Sequence, residues 1–480
     1  MLRVQVRRFV LVLALPASIA LAQNLDSNLK KGFDSINPID PYQLCKTMAS
    51  PKFEGRFTGD AGYTAAARWA ATYFTKWGLK STQSYNDYLQ PFPTQYTVVD
   101  EAEMTLVLHN GNERTLAFED DYLPMLSTDS GNLTAGFVFA GWGVCAPELD
   151  YDDFAGLDVK GKVVLCFRGV PDREEDGFRK HDEHRHRMKT AKEKGALGLF
   201  YIYGLPISNP NMDWIAGFTP AVISEKVADS LLEEKGITCA DLKSDLTTYK
   251  RPISFALSSQ VRYRVASRHF PDGTGYNVVG YVEGSDPGLR NECVVIGGHF
   301  DHTGKHAGVL FPGANDNASG SAVVMEIAEA FSKLGKKPKR SVVFALFGGE
   351  ESGLKGSTFF VNNVPAPFSS VDAMFNFDMV GEGDGASLAY SSDPESFLKV
   401  FEDVDQNVHT LKRTRTLRGP GGGSDYAPFF QKGITAASFS SNGPHLHYHR
   451  SGDTIYRINP DVMADIARLA FLAAYKWADR

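Results

Sequence analysis

Cysteine is scarce, with five in 480 residues (Cys45, Cys145, Cys166, Cys239 and Cys293), widely spaced and with no CxxC pair. At most two disulfides can form from that set, with one thiol left over. Cys166 and Cys293 stand in apolar strand-like runs, which suits packed core thiols rather than nucleophiles. After the first 21 residues no apolar run is long enough to span a bilayer. Positive charge is also short. The net charge is −7, and −10 once Arg3, Arg7 and Arg8 of the first 22 residues are set aside, which argues against nucleic acid as a partner.

Residues 1–22 have the form of a secretory signal peptide: three arginines, an apolar core from Phe9 to Leu21, and Ala20-Leu21-Ala22 at the cut. No cysteine follows to carry a lipid anchor. The expectation is a soluble exported protein, periplasmic or secreted, with no membrane contact after cleavage.

The length admits two or three domains. A weakly patterned helical approach covers residues 24–51, and YTAAARWAATYFTKW (Tyr63–Trp77) predicts an amphipathic helix closed by Gly78. From about Tyr96 to Arg264 short alternating runs separated by turn residues predict a β-rich module. Within it, the charged stretch from Arg173 to Lys192, with His181, His184 and His186, reads as a solvated loop and helix face, because its lysines and arginines would repel a cation. From Gly275 onward strands and helices alternate: Asn277–Val282, Val294–Ile296, a helix from Ser319 to Leu334, and a last helix with Asn459 as N-cap and Pro460 at its first position. The expected fold class is α/β. Residues 23–95 and 265–480 form one domain, and 96–264 is inserted between them.

The chemistry gathers at strand ends. VVIGGHFDH brings His299, Asp301 and His302 to the end of a buried strand, and GANDNASG follows with Asp316. SVVFALFGG ends at Glu350-Glu351, and AMFNF ends at Asp378. His445, His447 and His449 lie in one late loop. Open α/β sheets bind ligands outside the carboxyl ends of their strands, and imidazole with carboxylate suits zinc better than calcium or magnesium. A two-metal site needs one carboxylate between the ions. Asp316, at a helix start among small residues, is the natural bridge, although an aspartate there also caps helices. Adjacent acids after a buried strand repel unless a cation holds them. One of Glu350 and Glu351 can bind metal while the other faces substrate as general base. A carboxylate near a liganding imidazole, as in His299-x-Asp301, can fix its tautomer.

GGHFDH, GANDNASG, GGEESG, FDMVG and YHRSGDT, in this order, resemble the motifs of the zinc-dependent aminopeptidases with two co-catalytic metals, a family that includes leucyl-type aminopeptidases and relatives of glutamate carboxypeptidase. GWGVCAPELDYDDFAGLDVKGKVVL and AKEKGALGLFYI resemble that family's inserted protease-associated domain, and EGRFTGDAGYTAAARWA its N-terminal start. The resemblance implies a mixed-sheet α/β/α zinc-peptidase domain with that insert, and two Zn2+ per chain. It implies that His299 and Asp378 bind one zinc, Glu351 and His449 the other, and Asp316 both. Asp301 would then support a ligand from behind, and Glu350 would be the general base. Peptides are the implied substrates; no oligomeric state is implied. The rivals are a carboxypeptidase-like or dipeptidase member, with Arg415 or Arg418 on the terminal carboxylate, a glutaminyl cyclase, and a receptor-like module with a dead site. Phe300, Phe311, Tyr426, Phe429 and Tyr448 hint at an apolar pocket or at core.

Overall fold

The computed structural model describes residues 25–172, 176–383, 388–408, 415–418 and 423–480; the signal-like residues 1–22 lie outside them. One mixed sheet runs through the molecule. Thirteen of its 15 strands are β1 (Leu89–Val107), β2 (Tyr122–Pro124), β3 (Gly131–Ala140), β4 (Val163–Phe167), β5 (Gly198–Tyr203), β6 (Ala221–Ser224), β7 (Ser254–Val282), β8 (Glu292–His299), β9 (Ser341–Phe347), β10 (Ser370–Phe377), β11 (Leu388–Asp393), β12 (Arg415–Arg418) and β13 (Thr435–Ser441). They lie in the order β12-β11-β13-β10-β8-β9-β7-β3-β4-β5-β6-β2, with β1 also on β7. β13, β10, β8 and β9 are mutually parallel, so their carboxyl ends share one edge.

Alternation along these strands builds two faces. Val294, Ile296, Phe344 and Phe375 point into a core with the helices α1 (Ser27–Ser35), α2 (Ile39–Met48), α3 (Ala61–Lys76), α5 (Gly320–Ser332), α7 (Glu395–Val408) and α9 (Pro460–Ala478). Cys293, Val295, Val343 and Met374 point the other way, onto Phe360 of α6 (Lys355–Asn362) and Phe429 of α8 (Ala427–Gln431). This is the α/β/α layering of a parallel sheet buried on both faces. α3 starts on Asp60, whose side chain accepts from Tyr63 N–H, and α9 on Asn459, which accepts from Asp461 N–H.

A second set of cores is drawn almost wholly from residues 99–265, with α4 (His184–Glu193) against β4 and β5. Neither boundary read from the sequence interrupts the chain: residues 95 and 96 lie within β1, and 264 and 265 within β7. The α/β alternation expected from Gly275 onward begins within this strand. Register shifts at 266/267 and between 270 and 273 let β7 continue against β1. The same block contains two helices that the β-rich reading passes over, Glu225–Leu232 and Cys239–Tyr249. Both were signalled by caps, Ser224 in the first case and a Thr238–Asp241 capping box in the second.

The charged segment also differs from the expectation. His181 and His184 are buried, and Arg187 has no exposed surface, being held by Asp182 and the carbonyls of Trp142 and Gly169. Neighbouring acids and carbonyls absorb the charge that the sequence would leave to solvent. All five cysteines are free thiols, and Cys166 and Cys293 are buried.

Glu326, on α5, is 2% exposed and its Oε1 accepts only a 3.3 Å bond from Asn37 N–H. Burial first, and Asp40 next, push its pKa up to about 8. A raised folded-state pKa favours the fold below the unfolded value and is lost as pH rises toward 8. Glu326→Gln is therefore expected to stabilise the chain by about 4 kcal/mol at pH 8, and hardly at all near pH 4.5. Thermal melts of both proteins across that range check the slope.

Candidate metal centre

The parallel register decides which side chains meet. His299 is the last residue of β8 and pairs with Phe347 at the end of β9, while Gly297 pairs with Asn376 on β10. His299, Glu350 and Asp378 therefore leave three adjacent strands at one level. Their ligand atoms lie within 4.8 Å of one another. His302, Asp316, Glu351 and His449 form a second such group beside them, all buried.

Asp316 joins the two groups. Its Oδ1 stands 3.4 Å from His299 Nε2 and its Oδ2 3.1 Å from His449 Nε2. His299 Nε2 also faces Asp378 Oδ1 at 3.4 Å, and His449 Nε2 faces Glu351 Oε2 at 2.9 Å. Each imidazole nitrogen thus sits between oxygens of two carboxylates, and one of those carboxylates, Asp316, serves both. Asp316 does not cap α5. Its backbone (φ −109°, ψ 98°) interrupts the turn Ala314–Ser319, and the peptide to Asn317 is cis.

The far sides of the ligands are also held. His299 Nδ1 donates to the Asp301 carbonyl at 3.3 Å, with the Asp301 carboxylate at 3.6 Å. That carboxylate accepts from Thr58 Oγ1 (2.9 Å) and from Glu350 N–H (3.3 Å), so its firmer bonds are to neighbouring loops. His449 Nδ1 donates to the Ser208 carbonyl at 2.6 Å, which leaves Nε2 as the free donor atom. Ser424 Oγ donates to Asp378 Oδ2 at 2.7 Å. Of the three late histidines, His449 is the buried one. His445 lines a recess of about 250 Å³ with Asp378, Met379, Ser424, Tyr426, Ser438 and Ser440.

Nitrogen and oxygen donors in two clusters sharing one carboxylate fit a pair of borderline-soft divalent cations such as zinc. The charge distribution agrees. Burial opposes charge on His299, yet Glu350 and Asp378 outweigh it and hold its pKa well above the ordinary value. Burial likewise opposes charge on His449, and Glu351 with Asp316 reverse the sign. The carboxylates demand positive charge here, from protons or from cations.

The stretch 277–474, which carries all seven side chains expected from the sequence, matches the model of peptidase family M28. That stretch is an M28 metallopeptidase domain. A leupeptin-inactivating enzyme of Streptomyces exfoliatus is 35% identical over 208 residues, which span 39% of this chain and 44% of that relative. An aminopeptidase of Pseudomonas aeruginosa is 24% identical over 475 residues, 91% of this chain and 79% of the relative. The solved structure of a zinc aminopeptidase from Bacillus subtilis superposes with a TM-score of 0.62 at 20% identity, covering 93% of this chain and 96% of that one. At that identity the likeness is one of fold.

The M28 site includes groups that the sequence reading left unassigned. His302 donates from Nδ1 to Glu351 Oε1 at 2.9 Å and has no exposed surface; its place in HFDH was its only signal. Arg56, equally buried, donates to the carbonyls of Met48, Phe300, Pro312 and Gly313, which ties the loops bearing His299 and Asp316 to the N-terminal segment. Asn315 Oδ1 accepts from Gly381 and Glu382 N–H, and Asn317 Oδ1 from Met379 N–H, so the asparagines beside Asp316 stitch its turn to the loop of Asp378. Of the aromatic residues, Phe300, Phe311 and Phe429 are core, Tyr426 lines the recess, and Tyr448 is 43% exposed with its ring stacked on His449 at 3.8 Å.

Asp453 accepts from the N–H groups of both Asn315 (2.8 Å) and Asp316 (2.9 Å). Asp453→Asn turns an amide NH2 toward at least one of those donors. Metal affinity is expected to fall 10–100-fold, as for other losses of a partner behind a ligand. Competition titration against a chelator gives the number, and unchanged affinity would mean that the turn needs no such support.

Proposed function

We propose that the chain is an exported two-zinc aminopeptidase that removes N-terminal residues from peptides, with 96–264 as an inserted module of the protease-associated type. The observation that carries the two-metal reading is Asp316, whose two oxygens face His299 Nε2 and His449 Nε2 separately. His299 and Asp378 would hold one zinc, Glu351 and His449 the other, and Asp316 both. When bound, the ions would polarise the scissile carbonyl and make water acidic enough to lose a proton near neutral pH.

Glu350 lies at the mouth of this arrangement, less buried than Glu351. Burial first, then the acids Glu351, Asp378 and Asp425, push its pKa well above the carboxylate range against the pull of His299. A carboxylate so placed accepts the proton of the attacking water and returns it to the amine nitrogen as the C–N bond breaks. Asp301 holds the Glu350 N–H and faces His299, so it fixes base and ligand together. Tyr448, whose ring stacks on His449, offers a neutral O–H donor to the developing oxyanion.

Two features favour the amino end. The cluster is acidic, which attracts a free ammonium group. Arg56, its buried cation, is spent on carbonyls. The arginines that a carboxypeptidase would use, Arg415 and Arg418, stand on β12, whose side chains lie outside the described residues. The relatives from Pseudomonas aeruginosa and Bacillus subtilis are named as aminopeptidases, which supports the same choice.

The test is hydrolysis of matched free and N-acetylated peptides by purified protein with its zinc quantified. Two zinc ions per chain, cleavage of free N-termini only, and loss of activity on chelation with recovery on adding zinc are expected. Release from the C-terminal end, or cleavage of acetylated peptides, would overturn the assignment.

Glu350→Gln should keep both ions and lower kcat by about 10²–10⁴-fold, whereas Glu351→Gln should lose metal first. If Glu350→Gln loses metal and Glu351→Gln does not, the two roles are reversed.

A further inference from the structure

His449 is held in a strained loop. His445 (φ 46°) and His449 (φ 54°) both occupy the left-handed region, where a residue with a Cβ persists only if its surroundings impose it. The surroundings of His449 come largely from residues 96–264. Ser208, in the loop after β5, makes a two-way bridge: its carbonyl accepts from His449 Nδ1 at 2.6 Å and its N–H donates to the His449 carbonyl at 3.0 Å.

The next two residues are clasped from another side. Glu119 Oε1 accepts from Ser451 N–H at 2.9 Å and from Arg450 Nε at 3.3 Å, and its Oε2 accepts from Ser451 Oγ at 2.6 Å. The side chains of Arg450 and Glu119 are 12% and 14% exposed, so water screens the pair little. Asp120, 81% exposed, touches Arg450 Nη2 at 3.1 Å. The turn that carries Glu119 is itself fixed: Glu119 N–H donates to the Tyr122 carbonyl, and Ser224 N–H to that of Asp121. Tyr122 is buried in the second core. A rigid path therefore runs from that core through Glu119 to the residues directly after His449.

We propose that Glu119 is a positioning residue of the metal centre, one that fixes His449 toward its cation through Arg450 and Ser451, so that residues 96–264 complete the site and are not a spacer. The inference rests on the two-zinc reading. Glu119 touches neither a ligand atom nor the space for substrate. Its loss should free the loop to relax, and the ion held by Glu351 and His449 should weaken ahead of the ion held by His299 and Asp378.

The experiment is a Zn2+ titration of the full chain against a competing chelator, for wild type, Glu119→Gln and Asp120→Asn, beside thermal melts of the metal-free proteins. Wild type must first show two zinc ions; fewer overturns the two-zinc reading itself. With two present, Glu119→Gln is expected to weaken one ion 10–100-fold and leave the other at its wild-type affinity. Asp120→Asn, a partner in solvent, should change neither by more than about twofold. Two unchanged affinities in Glu119→Gln, or equal weakening of both, would overturn the proposal, since a general loss of stability has no reason to choose between ions. Should Glu119→Gln fail to fold, Ser451→Ala removes a single hydroxyl bond to Glu119. The same selective weakening, smaller in size, is expected of it, and its absence would equally overturn the proposal.

Discussion

Like charges are gathered where water cannot separate them. Asp301, Asp316, Glu351, Asp425 and Asp453 are each less than a tenth exposed, and Asp378 and Glu350 adjoin them. Burying one unpaired carboxylate is costly, and burying several together is prohibitive without positive charge at the centre. The molecule meets this in layers. Imidazole nitrogens stand between the acids, backbone N–H groups of the Asn315–Asp316 turn neutralise Asp453, and hydroxyls of Thr58 and Ser424 cap outer oxygens. What remains is a deficit of positive charge at two groups of side chains able to hold metal. A structure that merely tolerated these residues would have dispersed them.

The sheet makes the gathering possible. β10, β8 and β9 are parallel neighbours, so their last residues reach one edge at one height, and loops that are distant in sequence meet there. Arg56 and the asparagines beside Asp316 then lock the loops to one another through backbone carbonyls and N–H groups, a use of polar side chains that leaves the ligands themselves free. The fold reaches His449 by a different route. It does not leave a strand end, and its loop is braced by Ser208 and Glu119 from the far core. Two cores joined by the continuous strands β1 and β7 thus share one polar site.

Much of the candidate site was legible because its signals are local. A glycine pair after an apolar run, followed by an acid or histidine, marks a buried strand that delivers a polar side chain at its carboxyl end. That is how His299, Glu350 and Glu351 stand out, and Asp378 follows its apolar run directly. The start of the last helix was legible for the same reason, since Asn459 bonds to the N–H of Asp461 two residues on. The misreadings are non-local. Arg187 and His184 look solvated in a run of charges, and only the packing of α4 on β4 and β5 turns them inward. Residues 264 and 265 look like a boundary where the pattern changes, and only the partner strand β1 carries β7 through them. His302 was visible in its motif without a role until Glu351, 49 positions on, was placed against it.

The amino-acid sequence by itself determined the α/β alternation, the strand ends and the kinds of donor atom that appear there, because these follow from hydrophobic period and from bonds between near neighbours in the chain. Tertiary structure decided which oxygen of Asp316 faces which histidine, which of three late histidines is buried, and that the bracing of His449 comes from residues 119 and 208. Most of those are distances between segments more than a hundred residues apart, set by strand register and by the packing of separate cores, which the pattern of any one segment does not contain.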